Sequence, residues 1–255
     1  MAVRGSAFGP VEPTACDRWL WRAAVGGVLL AGVVLLRHER WDVVIASGPF
    51  LLKSLGVSWL LTLAAIGIGL PVGILLALLR TGGPTPVKQI AVGVIEVVRA
   101  TPQLMVIFWV FFAVPALSGQ KVPAWTAAII SLSLIAASYL AEVMRAGILS
   151  VPSIQIESGL ATGMTRAQIM SSIVLPQALR NMVPALIATV IMLFKITSLI
   201  YVVGITDFFR AVILINNREF EPIALYTTLA VGYFVCCWLM SLCVRQLDPK
   251  YVLAH

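Results

Sequence analysis

A succession of long apolar runs, separated by short polar turns, constrains this chain more than any other feature. An α-helix needs about 20 apolar residues to cross the hydrocarbon core of a bilayer, and most of the runs reach that length. Hydrophobic residues make up 60% of the 255 positions and charged residues only 11%, whereas a soluble domain carries about 25% charged residues. The sequence therefore predicts an all-α membrane protein with one continuous helical domain.

The apolar runs define the candidate membrane spans. The spans that we predict are residues 19–36, 50–79, 89–114, 124–145, 182–203 and 223–244. The first is ambiguous because residues 23–36 are only fourteen apolar residues, a length that is also typical of a signal peptide. No small-residue cleavage site precedes Arg37, so we expect a retained helix. Residues 1–18 and 246–255 form polar tails.

Small residues and a proline mark the places where helices are expected to approach closely. Gly67, Gly69 and Gly73 surround Pro71 in the span 50–79, and membrane helices use such residues at their contacts. The span 124–145 carries a second set: Ala127, Ala128, Ser131, Ser133, Ala136, Ala137 and Ser138. We expect packing roles for both sets.

The distribution of lysine and arginine predicts the orientation of the chain. Placing both tails and residues 150–180 on one side collects ten basic residues there against six on the other, and the richer side is cytoplasmic by the positive-inside rule. The net charge of +7 is spread between apolar runs. It therefore indicates topology and lipid contact, and we expect no nucleic acid partner.

Residues 150–180 are the longest interruption of the apolar pattern. Their pattern predicts two short helices, of which the first begins at Ser153 and ends before Gly163, a residue suited to the left-handed conformation. Thr165 followed by Gln168 is a capping box that starts the second helix. The stretch is thus predicted to be a structured loop outside the hydrocarbon.

The spacing within this loop resembles a known motif. Glu157, then Gly163 six residues later, then Ile173, Leu175 and Pro176, is similar to the EAA loop of binding-protein-dependent ABC transporter permeases. The flanking strings SYLAEVMRAGILSVP and PQALR narrow the resemblance to the polar amino acid group of these permeases. The proline is also predicted to bend the chain as it enters the next apolar run.

The resemblance covers roughly residues 47–245 and implies a five-helix type I ABC importer transmembrane core, to which residues 19–36 add an extra N-terminal helix. It assigns ATPase coupling to Glu157, Ala161, Gly163, Met164, Thr165, Leu175 and Pro176. Relatives usually have two alanines where Ser158 and Gly159 stand here. An interior glycine costs about 1 kcal/mol of helix propensity, so we expect the first loop helix to fray without a partner.

No catalytic motif is present in the sequence. A GxxxxGK[ST] phosphate loop, an HExxH motif and a GxSxG elbow are all missing, and the four cysteines and two histidines lack metal-ligand spacing. We expect no enzyme activity, no metal site and no cofactor on this chain. The resemblance implies two ATP-binding subunits that carry ATP and Mg²⁺, a second permease chain, identical or related, and an extracytoplasmic substrate-binding protein.

Lys195 is the first candidate for the substrate pathway. Ionisable groups at membrane depth are costly and usually face a partner or a watery pathway, and no acid lies within one helical turn of this lysine. Thr197 and Ser198 follow it, and similar permeases usually carry an acid directly after the lysine, where Ile196 stands here. A cationic pathway would favour glutamate or aspartate, and the string at residues 207–211 also looks like acidic amino acid permeases.

Arg99 and Thr101 are the second candidates. They lie next to a proline, which weakens the helix and opens backbone groups to a ligand. Glu96 stands three residues before Arg99, so an internal ion pair is an equal alternative to a substrate role. Glu142 and Arg145 have the same spacing and are expected to pair.

The sequence thus leads to one function and one alternative. We expect the permease subunit of an ATP-driven importer that moves polar amino acids, with a weak preference for glutamate and aspartate, across a bacterial-type inner membrane by alternating access. The alternative is an ion-coupled secondary transporter or channel subunit without an ATPase. That class needs acids at the midplane and paired broken helices, which the sequence does not display.

Overall fold

The computed structural model describes Arg37 and residues 39–251, with side chains as far as residue 242. All the regular elements in this part are helical. The predicted tail 1–18 and the predicted span 19–36 lie outside the described residues. The last helix continues to Tyr251, and the C-terminal tail 246–255 stays a prediction.

The helices occupy the following positions. In chain order they are α1 Trp41–Ala46, α2 Gly48–Gly82, α3 Thr85–Ala100, α4 Gln103–Phe108, α5 Val114–Ser118, α6 Ala124–Leu149, α7 Ser153–Ala161, α8 Arg166–Ile169, α9 Leu175–Ile196, α10 Phe208–Glu219 and α11 Pro222–Tyr251. Two π turns, Trp109–Ala113 and Met170–Val174, and a 3₁₀ stretch, Thr197–Val203, continue α4, α8 and α9 respectively.

Most predicted spans are confirmed. The helical stretches in the described residues that are long and apolar enough to cross a membrane are Gly48–Gly82, Ala124–Leu149, Arg166–Val203 and Pro222–Leu242. The predicted span 89–114 is bent, since α3 and the stretch Gln103–Ser118 meet at 112°; together they are apolar and long enough to count as one broken span or a re-entrant loop. Pro102 forces Thr101 into an extended conformation (φ −87°, ψ 137°), which ends α3.

Close contact between α2 and α6 forms the middle of the bundle. A Cβ atom on Gly69 would lie 2.6 Å from the Cβ of Ala136, and one on Gly73 would lie 2.9 Å from the carbonyl oxygen of Ala137. The two helices run in the same direction, because later residues of α2 meet later residues of α6. The packing role of these glycines is confirmed, but Gly67 has no atom within 4 Å of its Cβ position.

The main core surrounds α6. Its largest fully buried side chains come from α2, α4, α6, α9 and the 3₁₀ stretch: Leu61, Ile107, Leu132, Ile135, Leu193 and Ile200. The small residues predicted to pack in α6 are buried there, including the fully buried Ala136 and Ser138. The core therefore holds α6 on several sides.

Helix α10 has one buried face. Phe208, Ala211, Val212 and Ile215 are buried on this face, which packs against the first turns of α2 and α11. The sequence has apolar residues at these four positions at helical spacing, so the pattern is sufficient to place this face inward.

Replacing Gly69 with alanine should destabilise the bundle by about 1–3 kcal/mol, the usual range for overpacking. The added methyl group would meet the Cβ and backbone atoms of α6, and backbone cannot rotate away. Gly67→Ala is the matched control, since the same group there enters open space and alanine favours the helix. Thermal unfolding of each purified variant in mild detergent measures its stability. Equal midpoints for the two variants would contradict the close contact.

Candidate functional site

The loop of residues 150–180 begins with a well-defined helix end. After α7, the N–H of Gly163 donates to the carbonyl of Leu160, and the N–H of Met164 donates to the carbonyl of Gly159, both at 3.0 Å. These two bonds form a Schellman motif, which needs a left-handed residue. Gly163 supplies it with φ of +79°. The predicted stop at this glycine is confirmed.

The chain then restarts as predicted. The N–H of Gln168 donates to Oγ1 of Thr165 at 3.3 Å, and the N–H of Thr165 donates to Oε1 of Gln168 at 2.8 Å, which completes the capping box. Beyond it, Arg166–Val203 is one helical stretch, so the helix is not interrupted at Pro176. The π turn directly before this proline is wider than an α turn and accommodates a residue that lacks an N–H.

Helix α7 extends over Ser153–Ala161, and the expectation that it frays without a partner stays a prediction. Gly159 is buried, and a Cβ there would lie 2.8 Å from Cγ1 of Ile169. The glycine therefore allows α7 to contact α8 closely, and this contact offsets its low helix propensity. The departure from two alanines is a packing feature of this chain.

The loop is fixed to the end of the bundle, which we call the loop end. Nδ2 of Asn181 in α9 donates to Oγ of Ser150 at 2.8 Å. A hydrophobic cluster also joins the loop to α6 and α9; its buried members are Val151, Ile169, Val174, Ala178 and Met182. Gly159 of α7 packs against Ile169 of this cluster, so α7 is connected to both helices through it.

The outer face of the loop is accessible. Glu157 is exposed and makes no ion pair with any described residue. The predicted coupling residues Ala161, Gly163, Thr165, Leu175 and Pro176 are also exposed, whereas Met164 is half-buried against the loop cluster. Apolar side chains accompany them, since Ile154 is 61% exposed and Leu160 49%. The loop thus presents an acidic and apolar face.

Lys195 and Ser198 line an open cavity of about 450 Å³ between α4 and α9. Gln103 at the start of α4 lies opposite, and the walls are apolar side chains such as Met192. The lysine side chain is exposed and is not part of any ion pair in the described residues. The cavity therefore combines a cation and two neutral polar side chains with apolar walls.

Two of the predicted pathway residues do not line this cavity. Oγ1 of Thr197 donates to the carbonyl of Phe194, and Oγ1 of Thr101 donates to the carbonyl of Val97, each at 2.7 Å. Thr197 is fully buried. Both hydroxyls are used within their own helices, and a pathway role for these residues stays a prediction.

Arg99 lies behind the cavity, and Tyr139 connects the two. The guanidinium carbon of Arg99 is 5.7 Å from the centre of the Tyr139 ring, and Nε2 of Gln103 donates to the Tyr139 hydroxyl at 3.1 Å. The sequence analysis missed Gln103 and Tyr139. The sequence contains a signal for each of them: Gln103 follows the proline that ends a helix, and Tyr139 is a large polar residue among small residues.

Five charged side chains meet near Arg99. Glu142 is 2.8 Å from Arg80, 3.4 Å from Arg99 and hydrogen-bonded to Arg145, while Glu96 is 3.5 Å from Arg80 and 4.0 Å from Arg99. Both predicted ion pairs are confirmed. Arg80 was not predicted, since it comes from α2, far from α6 in sequence. The network joins α2, α3 and α6 on the loop side of the cavity.

Asp207, the first residue of the string 207–211, has a structural role that the sequence analysis did not assign. It is fully buried and caps α10, accepting hydrogen bonds from the N–H groups of Phe209 at 3.2 Å and Arg210 at 3.0 Å. The N–H of Phe208 donates to Oγ of Ser58 in α2 at 3.1 Å. Burial raises the pKa of the Asp207 carboxyl to about 6, and the two backbone donors lower it in part. The cap fixes α10 to α2.

The described residues contain no group of three or more His, Cys, Asp or Glu side chains placed to hold a metal ion. Glu96 and Glu142 are instead shared with arginines, and Asp207 is used as a helix cap. The structure therefore has two candidate sites: the cationic cavity for a ligand and the outer face of the loop for a protein.

Comparison with known proteins identifies the family. The family described as "Binding-protein-dependent transport system inner membrane component" matches residues 69–252, well over half of the chain. The chain belongs to this family. The match includes α6, the whole loop and α9.

Two curated members of the family are similar over most of their length. The glutamate/aspartate import permease protein GltK of Escherichia coli O6:H1 is 36% identical over 217 residues, which are 82% of this chain and 97% of the relative. The probable amino-acid permease protein YxeN of Bacillus subtilis is 33% identical over 204 residues, covering 79% and 91%.

A solved structure shows the same fold. It is titled "Crystal structure of an amino acid ABC transporter with histidines", and it superimposes with a TM-score of 0.79 at 29% sequence identity, covering 83% of this chain and 98% of that one. The predicted all-α fold of a type I ABC importer permease is thereby confirmed.

Replacing Glu142 with glutamine should destabilise this family member more than replacing Glu96. Glu142 is the shared partner of three arginines and is 20% exposed, whereas Glu96 is 53% exposed with longer contacts. Removing one side of a buried pair costs about 3–5 kcal/mol, and exposed pairs are worth about 1 kcal/mol or less. We expect an intermediate loss for Glu142→Gln and a small one for Glu96→Gln, measured by thermal unfolding in detergent. The opposite ranking would refute the network.

Proposed function

We propose that this chain is the permease subunit of an ATP-driven importer of polar amino acids, with a preference for glutamate and aspartate. The observation that carries the proposal is the exposed face of the loop, whose helix α7 packs through Gly159 on Ile169, a member of the cluster that joins the loop to α6 and α9. Membership of the family supports transport dependent on a binding protein. The relatives named for amino acid import support the substrate class.

In this proposal two ATP-binding subunits dock on the loops of two permease chains, and those subunits hold ATP and Mg²⁺. The chain itself supplies no phosphate loop. Glu157 is an exposed acid on α7, and its apolar neighbour Leu160 is exposed as well. An acid flanked by apolar side chains suits a groove with a basic rim on the partner. The loop, both tails and the docked subunits are then cytoplasmic.

The proposed mechanism is alternating access. Closure of the two ATPase subunits displaces α7, and the loop cluster passes the displacement to α6 and α9, because packed side chains move with the helix that carries them. Since α9 carries Lys195, and Tyr139 of α6 is bonded to Gln103 in the opposite wall, the two walls of the cavity shift relative to each other. A binding protein on the opposite side delivers the amino acid.

Replacing Gly163 with valine should abolish binding of the ATPase. A β-branched residue strongly disfavours positive φ, so the Schellman motif would open and α7 would lose its position. Purification of the tagged chain from its native membranes in mild detergent, followed by mass spectrometry for a subunit with a phosphate loop, measures the binding. We expect the ATPase with the wild type and little of it with Gly163→Val.

Gly119→Val is the matched control for this experiment. Gly119 also has positive φ, +70° against +79° for Gly163, and neither has an atom within 4 Å of its Cβ position. Because it lies between α5 and α6, away from the loop, the ATPase should stay bound. A wild-type chain that carries no ATPase under several gentle conditions would overturn the importer and favour an ion-coupled transporter. Normal binding to Gly163→Val would overturn docking through the loop.

The preference for acidic amino acids rests on the cavity. Lys195 lies in the cavity wall without an ion-pair partner in the described part of the chain, so the side-chain carboxylate of glutamate or aspartate could form a charge-assisted hydrogen bond with it. Arginine or lysine as substrate would meet a like charge. The similarity to GltK also supports a preference for acidic amino acids.

Replacing Lys195 with methionine should raise the KM for glutamate uptake about tenfold or more, since a hydrogen bond to a charged group is worth about 1.5–3 kcal/mol. Methionine preserves most of the length and apolar contacts of the side chain. Uptake of radiolabelled glutamate into cells that express the complete transporter measures the change. Lys53→Met, which removes an exposed lysine on α2 outside this cavity, is the control. Uptake of arginine but not glutamate by the wild type would contradict the proposed preference for acidic amino acids.

A further inference from the structure

The side-chain amide of Gln103 is held in place at one end. Gln103 is the first residue of α4, and its Nε2 donates to the hydroxyl of Tyr139 in α6 at 3.1 Å. Tyr139 itself packs against the main core, which keeps its hydroxyl in position. The hydrogen bond between the two side chains therefore sets the orientation of the amide.

The other end of this amide is available to a ligand. Oε1 of Gln103 accepts no hydrogen bond from the part of the chain that the structure describes, and this atom is not buried. Gln103 lines the same cavity as Lys195. An amide oxygen has two lone pairs and no proton, so it can only accept hydrogen bonds. The wall opposite Lys195 thus offers an acceptor.

Ser198 offers a second acceptor in the cavity. Its hydroxyl donates to the carbonyl of Lys195 at 2.8 Å, so its one proton is used within the helical stretch. The lone pairs of Oγ remain, and this side chain also lines the cavity. The Lys195 ammonium group, in contrast, can only donate. The polar side chains of the cavity are thus divided between a charged donor and neutral acceptors.

An α-amino acid carries groups that match this division. Its carboxylates accept hydrogen bonds, whereas its ammonium group has three N–H donors. Lys195 attracts a carboxylate but repels the ammonium group. Transfer of that group from water to a cavity with apolar walls is costly unless its donors find acceptors. Among the described residues that line the cavity, the side chains with an oxygen acceptor are Gln103 and Ser198.

We propose that Gln103 and Ser198 bind the α-ammonium group of the substrate, and that Tyr139 is a positioning residue that holds the amide of Gln103. This inference rests on the proposed function, in which the Lys195 cavity receives an amino acid. A neutral acceptor suits position 103, because a carboxylate there would attract Lys195 and compete with the carboxylate of the substrate. The cavity then distinguishes an amino acid from a carboxylic acid that lacks the amino group.

Binding of L-glutamate and of glutarate tests the proposal, because the two compounds share both carboxylates and differ in the amino group. The permease is purified with its ATPase subunits, inserted into nanodiscs and kept free of nucleotide and of binding protein. Displacement of radiolabelled glutamate gives the Kd of each compound. Gln103→Leu should raise the Kd for glutamate about tenfold or more, as expected for loss of a hydrogen bond to a charged group. The Kd for glutarate should stay unchanged.

Tyr139→Phe tests the positioning role. It removes the hydroxyl and keeps the ring beside Arg99. The amide of Gln103 then stays in the cavity wall but is free to rotate, so we expect the Kd for glutamate to rise about two- to fivefold, the cost of ordering one side chain on binding. The Kd for glutarate should again stay unchanged.

Gln177→Leu is the matched control. Nε2 of Gln177 also donates one hydrogen bond, to the carbonyl of Ile173 at 3.0 Å, and Gln177 is half-buried like Gln103. It does not line the cavity, so neither Kd should change. Lys195→Met is the second reference, and it should weaken both compounds because both carry carboxylates.

The contrary results are distinguishable. Equal losses for glutamate and glutarate in Gln103→Leu would overturn the proposal, because the amide would then serve a carboxylate or only support the wall. An unchanged Kd for glutamate in Gln103→Leu, together with a loss in Lys195→Met, would overturn it and leave the Lys195 cavity as the substrate site. A wild type that does not bind glutamate, or a Lys195→Met variant that binds it equally well, would refute the proposed acidic preference and this inference with it.

Discussion

The backbone contact between α2 and α6 is the constraint on which the rest of the structure depends. Side chains provide no hydrophobic drive between helices that are already in lipid, so close packing of small residues must hold them together. Gly69 and Gly73 remove every atom that would keep the two backbones apart. Because the helices run parallel, the chain between them must return across the bundle, and α3, α4 and α5 make that return.

The return path explains why the polar groups meet where they do. Pro102 turns the chain by 112° in the middle of the return, which brings Gln103 to the cavity and leaves Arg99 behind it. The same parallel pairing brings Arg80 at the end of α2 beside Glu142 of α6. One helix contact therefore positions both the cavity wall and the ion network. The cost of partly burying these charges is offset because each acid meets more than one arginine.

Local signals in the sequence predicted local structure well. Gly163, the Thr165 capping box and the two ion pairs at spacing three all depend on neighbours within one or two turns, so the spacing was sufficient. Residues far apart in the chain were missed. Arg80, Tyr139 and Asp207 owe their roles to contacts with other helices, which no local pattern contains. The sharp turn at Pro102 was not predicted, because the apolar residues on both sides of this proline are together long enough for one straight span.

The π turn at Met170–Val174 sets the angular relation between the loop and the cavity. A π turn inserts one extra residue into a helix, and one residue corresponds to about 100° of rotation. The face of α9 that carries Lys195 is therefore rotated relative to α8 by an amount that this single residue fixes. A homologue shorter by one residue here would keep both α8 and the lysine, but their relative orientation would differ by about 100°. Sequence length within these five residues is thus as much a functional property of the chain as the identity of any side chain.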